Sequence, residues 1–510
     1  MSEVYAANNN RIAKNTLFLY GRMILIMAVS LYTSRVVLAT LGTEDFGIYN
    51  VVGGFVVLFS FLNTAMVSSI QRFLNFEMGR GDKEETKRVF SMGVNCQMLI
   101  ILSVLILGET VGLWFLNTYL NIPADRMVAA NWIYQFSIIT TCFNIFYAPY
   151  NAAIIAYEQM SVYAYVSILQ ALLKLGIVYL LVIGNFDKLI LYGFLSFVIS
   201  VIICLVYIFY CLRNFEICHY HRFWDKPLLR KMLSFSGWTL LGAVSNLGYS
   251  QGLNIIFNIF FGVIVNAAMG IANQVIAAIA SFIDNFAVAF NPQIVKSYAA
   301  GDWNYLNNLI HKTSKICYFM MLLISLPIII CCNEILDIWL DKVPKYAVFF
   351  TQLVIICSLV DSINNPIWTA IKATGNVKRY NLVTSSLRLS IIPLSIIGFA
   401  VGLSPESALI VNILLNLIIQ SWVLYHFHVL TEYNLKVHFR FSILPCLIIT
   451  ILSIPFPLLL SYMLPKDIIY TLLVILSAVL TTGLLILYVG LNGRERTKIF
   501  SFAKSKLHKS

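Results

Sequence analysis

Fourteen apolar runs of about twenty residues, separated by short polar turns, leave this chain very few folds. Backbone N–H and C=O groups inside a hydrocarbon layer must satisfy one another, so only helices and closed barrels can cross it. Continuous runs of this length, rather than alternating ones, match the ~20 residues a helix needs to span ~30 Å. The runs lie near 14–38, 47–69, 90–116, 127–148, 161–183, 188–211, 234–259, 265–290, 312–332, 346–368, 380–401, 405–427, 441–463 and 467–490. Charged residues make up 11% of the chain, against about 25% in soluble domains. The expected class is therefore an all-α polytopic membrane protein. The first run passes Val36, too long for the apolar stretch of a secretion signal, and is expected to be kept as a helix.

The chain also repeats itself. Gly42, Gly81 and Asp82 align without a gap on Gly262, Gly301 and Asp302 at an offset of about 220, each pair bracketing an apolar run. A second register, about 217, places Pro149, Ala153, Ile154, Ala156 and Tyr163 on Pro366, Ala370, Ile371, Ala373 and Tyr380. Runs one to six and seven to twelve are thus two copies, and thirteen and fourteen stand outside the repeat. The expected organisation is a six-helix bundle over 1–212, a linker loop over 213–233, a second bundle over 234–430, two added helices over 431–490 and a basic tail over 491–510. Six spans per copy start both halves on the same side, which makes them parallel repeats about an axis along the membrane normal. This is a common plan for transporters with alternating access.

Lysine and arginine set the expected orientation. With a cytoplasmic N-terminus, the other side holds only Arg126, Lys188, Lys342, Lys345 and Lys466 among the connecting residues, and both termini are cytoplasmic. The net charge of +12 is distributed as a topology signal in short loops and not as a nucleic-acid surface. Ten cysteines fall mostly in apolar runs and read as reduced, buried thiols. No HExxH, P-loop, GxSxG or Cys/His zinc spacing is present, so neither an enzyme nor a metal or cofactor site is expected. Most of the seven histidines, among them His219, His221, His426, His428 and His438, read as solvated or interface residues near the connections.

Charges inside the runs carry the functional signal. An ionisable group at membrane depth costs at least about 2.5–3.5 kcal/mol and usually faces a bundle interior or an aqueous cavity. Arg22 lies about 12 Å into the first run at 1.5 Å per residue. Lys174 sits mid-run in the fifth, Arg388 in the eleventh, and Arg35 nearer the far end of the first. Arg388 maps onto Ala171, one helical turn from Lys174, so each copy carries a cation on the same face of matching helices. Arg22, Lys174, Arg388 and Arg35 are the candidate substrate-binding residues. Asp284 and Asp361 are the candidate ion-coupling groups or charge partners, a static salt bridge being the alternative. The seventh run adds Ser245, Asn246, Ser250, Gln251, Asn254 and Asn258, too many polar groups for a lipid-facing helix.

The opening KNTLFLYGRMILIMAVSLYTSRVVLATLG, then EDFGIYNVVGG and SSIQRFLNFEMGRGD, resembles the start of the bacterial polysaccharide (O-antigen, Wzx-type) flippases of the multidrug/oligosaccharidyl-lipid/polysaccharide exporter superfamily. The phrase PYNAAIIAYEQM after the fourth run is similar too. The resemblance implies two six-helix bundles facing a cation-lined cavity in the bacterial inner membrane. It implies a polyprenyl-pyrophosphate-linked oligosaccharide as cargo, with membrane lipids and polysaccharide polymerase machinery as further partners. A cation-coupled multidrug exporter and a peptidoglycan-precursor flippase of the same superfamily are the rival readings. An O-antigen polymerase or ligase fits poorly, because no long external loop is available to hold catalytic residues.

Overall fold

A computed structural model describes residues 60–118, 122–181, 186–340, 343–465 and 467–491, with shorter stretches within 15–52 and residues 493 and 496. The chain is all-helical in these residues. Ten helices are long and apolar enough to cross a membrane, or eleven with the bent pair Ala347–Ser362 and Asn365–Thr374, which turns by 47°. These eleven correspond to all the sequence runs but three. The first run appears among the described residues as a shorter apolar helix, Phe18–Val29, and the second is described only in part, its last stretch forming the start of Ser60–Arg80. The seventh is a continuous helix, α7 (Lys226–Phe261, 36 residues), whose amides and hydroxyls keep it less apolar than the others.

The elements used below are α1 (Phe18–Val29), α2 (Ser60–Arg80), α3 (Lys83–Thr118), α4 (Met127–Ala156), α5 (Met160–Leu180) and α6 (Lys188–Asn214). After α7 come α8 (Val263–Ala299), α9 (Trp303–Ile330), the short α10 (Cys332–Trp339), α11 (Ala347–Ser362) and α12 (Asn365–Thr374). The last four are α13 (Lys378–Ala400), α14 (Glu406–Thr431), α15 (Leu435–Met463) and α16 (Ile468–Gly490). Between α9 and α11, the described residues 332–339 form the short helix α10.

The repeat is visible in the turns. Gly81 (φ +78°) and Gly301 (φ +69°) both take the left-handed backbone that only glycine adopts cheaply. Each ends its helix with the same pair of bonds: Gly81 N–H to Met78 O and Asp82 N–H to Glu77 O, against Gly301 N–H to Tyr298 O and Asp302 N–H to Ser297 O. Asp82 then caps α3 by accepting from Glu85 N–H at 3.0 Å.

Two compact units result. Unit 1 comprises residues 1–240 and 288–302; unit 2 comprises 241–287 and 303–510. The division runs through α7 and α8 and not through the 213–233 connection. That connection is packed on α3: Asn95 donates to Phe223 O at 2.6 Å and His221 N–H to Ser91 Oγ at 3.2 Å.

In unit 1, α4 packs most extensively on α6, and α2 packs on α3 and α4. Gly193 permits the close α4–α6 approach, since a Cβ there would lie 2.5 Å from Ile133 Cδ1. In a π-turn at Gly108–Gly112 within α3, Gly108 O accepts from Leu113 N–H and also from the buried Tyr134 hydroxyl at 2.7 Å. In unit 2, an apolar core around Phe257, Met269, Phe350 and Phe399 joins α7, α8, α11 and α13. The two added helices, α15 and α16, pack on α9, with Tyr318 and Thr450 hydroxyls 2.8 Å apart and Gly490 against Phe319. At the same junction His438, expected to be a loop or interface residue, is 1% exposed, and its Nδ1 lies 2.8 Å from Tyr433 Oη. The added helix carries it into the core of unit 2. His426 is buried as well, stacked on Trp422, whereas His219 and His221 are exposed as expected.

Candidate functional site

Among the described residues, each unit holds a cluster of charged and polar groups on its apolar helices. In unit 1, Arg22 of α1 donates from Nη1 to Ser167 Oγ at 3.3 Å, and its guanidinium lies 4.5 Å over the Tyr163 ring. Both partners are on α5. Their spacing of four residues puts them one turn apart on one face, and Lys174, eleven residues beyond Tyr163, returns to the same face. Lys174 is therefore on the Arg22 strip, about 10 Å along the axis from Ser167. Its side chain is accessible and makes no hydrogen bond or ion pair among the described residues. A lysine presented from mid-span without a protein partner needs water or an anion nearby. Tyrosines flank the strip: Tyr147 and Tyr207 stack at 4.8 Å with an interplanar angle of 6°.

In unit 2, Arg388 of α13 donates to Asn246 Oδ1 of α7 at 2.9 Å. Asp361, on the last turn of α11, accepts from Gln420 Nε2 of α14. Gln420 in turn donates to Asn416 Oδ1 at 3.1 Å and accepts from Asn364 Nδ2 at 2.9 Å. One turn up, Asn412 donates to Tyr249 Oη of α7 at 2.9 Å. Asn412, Asn416 and Gln420 are spaced by four, so the α14 helix itself aligns them as a ladder facing α11. Asp361 and Arg388 form no direct ion pair among the described residues, so the static salt bridge weighed as an alternative is absent between them. Asp284 on α8 is exposed and is not a partner in this cluster. Arg35 lies outside the described residues.

The polar α7 residues find partners within unit 2. Asn246 and Tyr249 meet α13 and α14, and Asn266 of α8 donates to Asn254 O at 2.7 Å. Sequence reasoning did not single out the amide ladder of α14. Its signal was available, as three amides at i, i+4 and i+8 inside an apolar run. No group of three or more His, Cys, Asp or Glu arranged to hold a metal exists among the described residues.

Residues 243–397 match the MatE family model, a segment that contains Asp284, Asp361 and Arg388. No curated protein matches the sequence. The chain is similar in structure to an outward-facing multidrug resistance MATE family transporter of the MOP superfamily, with a TM-score of 0.70 at 11% identity over 82% of this chain and 97% of that one. It is similar to a mutant of the Vibrio cholerae MATE transporter VcmN, at 0.67 and 13% over 85% and 99%. It is also similar to a Pyrococcus furiosus MOP superfamily transporter, at 0.66 and 13% over 82% and 96%, whose binding pocket has a reversed polarity suggesting a different function. At these identities the likeness establishes the fold.

Proposed function

We propose that this chain is a MATE-fold transporter of the MOP superfamily that flips a polyprenyl-pyrophosphate-linked oligosaccharide across the bacterial cell membrane. The observation that carries the reading is the strip on α5, where Lys174 and the Arg22 contacts Tyr163 and Ser167 share one face. A pyrophosphate crossing a low-dielectric layer needs fixed donors to replace its water, and guanidinium and ammonium groups supply charge-assisted bonds. Arg22 and Lys174 bind the anion; Arg388, on the matching helix of the second copy, and Arg35 are assigned to substrate binding as well. Tyr163 and the Tyr147–Tyr207 stack offer aromatic and hydroxyl surface for sugars, while the polyprenyl chain stays in lipid. Asp361 is the ion-coupling group, with Asp284 as a second candidate. Both termini are cytoplasmic, on the side rich in lysine and arginine.

The superfamily relative with reversed pocket polarity supports the idea that this fold takes cargo of either charge by changing the residues inside. The second reading, a cation-coupled multidrug exporter, is favoured by the multidrug transporter among the similar structures and by Asp361. One assay separates them. Purified protein in liposomes is supplied with a fluorescent polyprenyl-pyrophosphate disaccharide in both leaflets, and loss of inner-leaflet protection is followed. Protein-dependent loss that disappears on substituting Lys174 supports the flippase. No flipping, together with ion-driven uptake of a cationic dye, assigns the chain to drug export.

A further inference from the structure

Glu158 sits in the turn between α4 and α5 with φ +60°, a left-handed backbone costly for any residue but glycine. At the 217 offset its counterpart is Gly375, φ +78°, in the turn after α12. The first copy thus places a glutamate where the second uses the residue suited to the turn. Its side chain explains why it is held there. The carboxylate is 1% exposed, accepts from Gln293 Nε2 at 2.7 Å on both oxygens, and accepts from Lys296 Nζ at 2.7 Å. Gln293 and Lys296 are one turn apart on the last stretch of α8.

That stretch is unusual in the molecule. Residues 288–302 belong to unit 1, while the rest of α8 belongs to unit 2. Pro292 lies inside the helix and has no N–H to offer Val288 O, so the helical bond is missing where α8 passes from one unit to the other. Beyond it, α8 is seated against α2 so closely that a Cβ on Gly79 would lie 2.5 Å from Lys296 O and 2.7 Å from its Cα. A weakened backbone is followed by a tight polar seat.

We propose that Glu158, Gln293 and Lys296 form a releasable latch. Docking of 288–302 within unit 1 holds one conformation of the transport cycle, and transport undocks it by bending α8 at Pro292. The lysine side chain, 21% exposed, gives water a route to the pair during release. The inference rests on the alternating-access part of the proposed function and not on the cargo.

The test uses the full-length protein in nanodiscs without substrate. Hydrogen exchange is followed peptide by peptide, together with the distance between spin labels at Arg88 of unit 1 and Lys312 of unit 2 in a cysteine-depleted background. Glu158→Gln should raise exchange over 289–302 at least tenfold, leave the α4 and α6 peptides unchanged, and shift the distance distribution. The charge-swapped Glu158→Lys, Lys296→Glu double variant should restore both, since the Gln293 amide can turn to face either charge. If Glu158→Gln does not fold, Gly79→Ala carries the same test, as its methyl group displaces the seat without touching the charges. Unchanged exchange over 289–302 in the folded variant overturns the latch, as does loosening shared by all of unit 1. A failed flipping assay with normal latch behaviour rejects the cargo alone.

Discussion

The two units treat their buried charge differently. Unit 1 presents cations along α5 and leaves Lys174 without a protein partner among the described residues. Unit 2 surrounds Arg388 and Asp361 with amides: Asn246 takes the guanidinium, and Gln420, backed by Asn416 and Asn364, takes the carboxylate. Asp361 has Asn144 as its counterpart in the first copy, so the acid belongs to one unit only. On the proposed reading, a repeat that keeps a cation on matching helices and diverges in its acid gives the two units different tasks. Unmatched positive charge suits an anionic cargo, whereas a carboxylate whose charge is held by neutral donors suits reversible occupation by a small cation.

The largest expected effect comes from removing the charge that lacks a partner. Lys174→Gln combined with Arg22→Gln should reduce flipping of a pyrophosphate-linked glycan by about 100-fold, the scale of losing charge-assisted bonds worth roughly 1.5–3 kcal/mol each. Melting temperature should stay the same or rise in the single Lys174→Gln variant, since Lys174 makes no hydrogen bond or ion pair among the described residues, whereas Arg22→Gln also removes the Ser167 and Tyr163 contacts. Flipping at the wild-type rate would break the contrast between the units.

The second perturbation falls on the acid. Asp361→Asn keeps an acceptor for Gln420, so the fold should lose less than about 1 kcal/mol. If Asp361 couples an ion, gradient-driven accumulation should drop about tenfold while downhill flipping persists, read in the same liposomes with and without an imposed gradient. Equal loss of both modes would make Asp361 structural. Gln420→Leu sharpens the point: it takes the side-chain amide away from Asp361 and leaves Asn364 only the Gln420 backbone O, and should destabilise unit 2 by about 2 kcal/mol in a thermal or denaturant melt.

Much of this was legible in the sequence, for a local reason. Span length and apolarity are properties of a segment by itself, so ten helices and the bent pair appear where the runs predict. The Gly81 and Gly301 turns are equally local. Arg22, Lys174 and Arg388 stood out because an ionisable residue in an apolar run is conspicuous wherever the helix packs. Glu158 did not: it lies in a polar turn, and its meaning depends on Gln293 and Lys296, more than 130 residues away. The α14 ladder was hidden differently. Asn412, Asn416 and Gln420 are neutral and scattered among leucines and isoleucines, and only the docking of α11 gives them a carboxylate to hold.

The smallest expected effect is a control on the charge argument, at the other end of unit 1. There Arg126 bridges Asp45 and Asp187, donating to each at 2.6 Å, and Asp187 also caps α6 through the Leu189 and Ile190 N–H groups. This cation is fully matched, unlike Lys174. Burial alone would push the Asp187 carboxyl up, but the Arg126 hydrogen bond and the backbone donors win and hold it below the usual carboxylate range. A carboxyl lowered on folding adds stability above its unfolded pKa of about 3.9, and that stability is lost as pH falls through the lower folded value. The cluster is partly exposed, so the contribution should be under about 1 kcal/mol. Asp187→Asn should therefore lower the melting temperature slightly at pH 7, and the difference from wild type should disappear as pH falls through the lowered folded value of the carboxyl. Flipping at pH 7 should not change. If it fell as far as in the Lys174 variant, matched and unmatched charge would be equally important to transport, and the division of labour inferred for the two units would not hold.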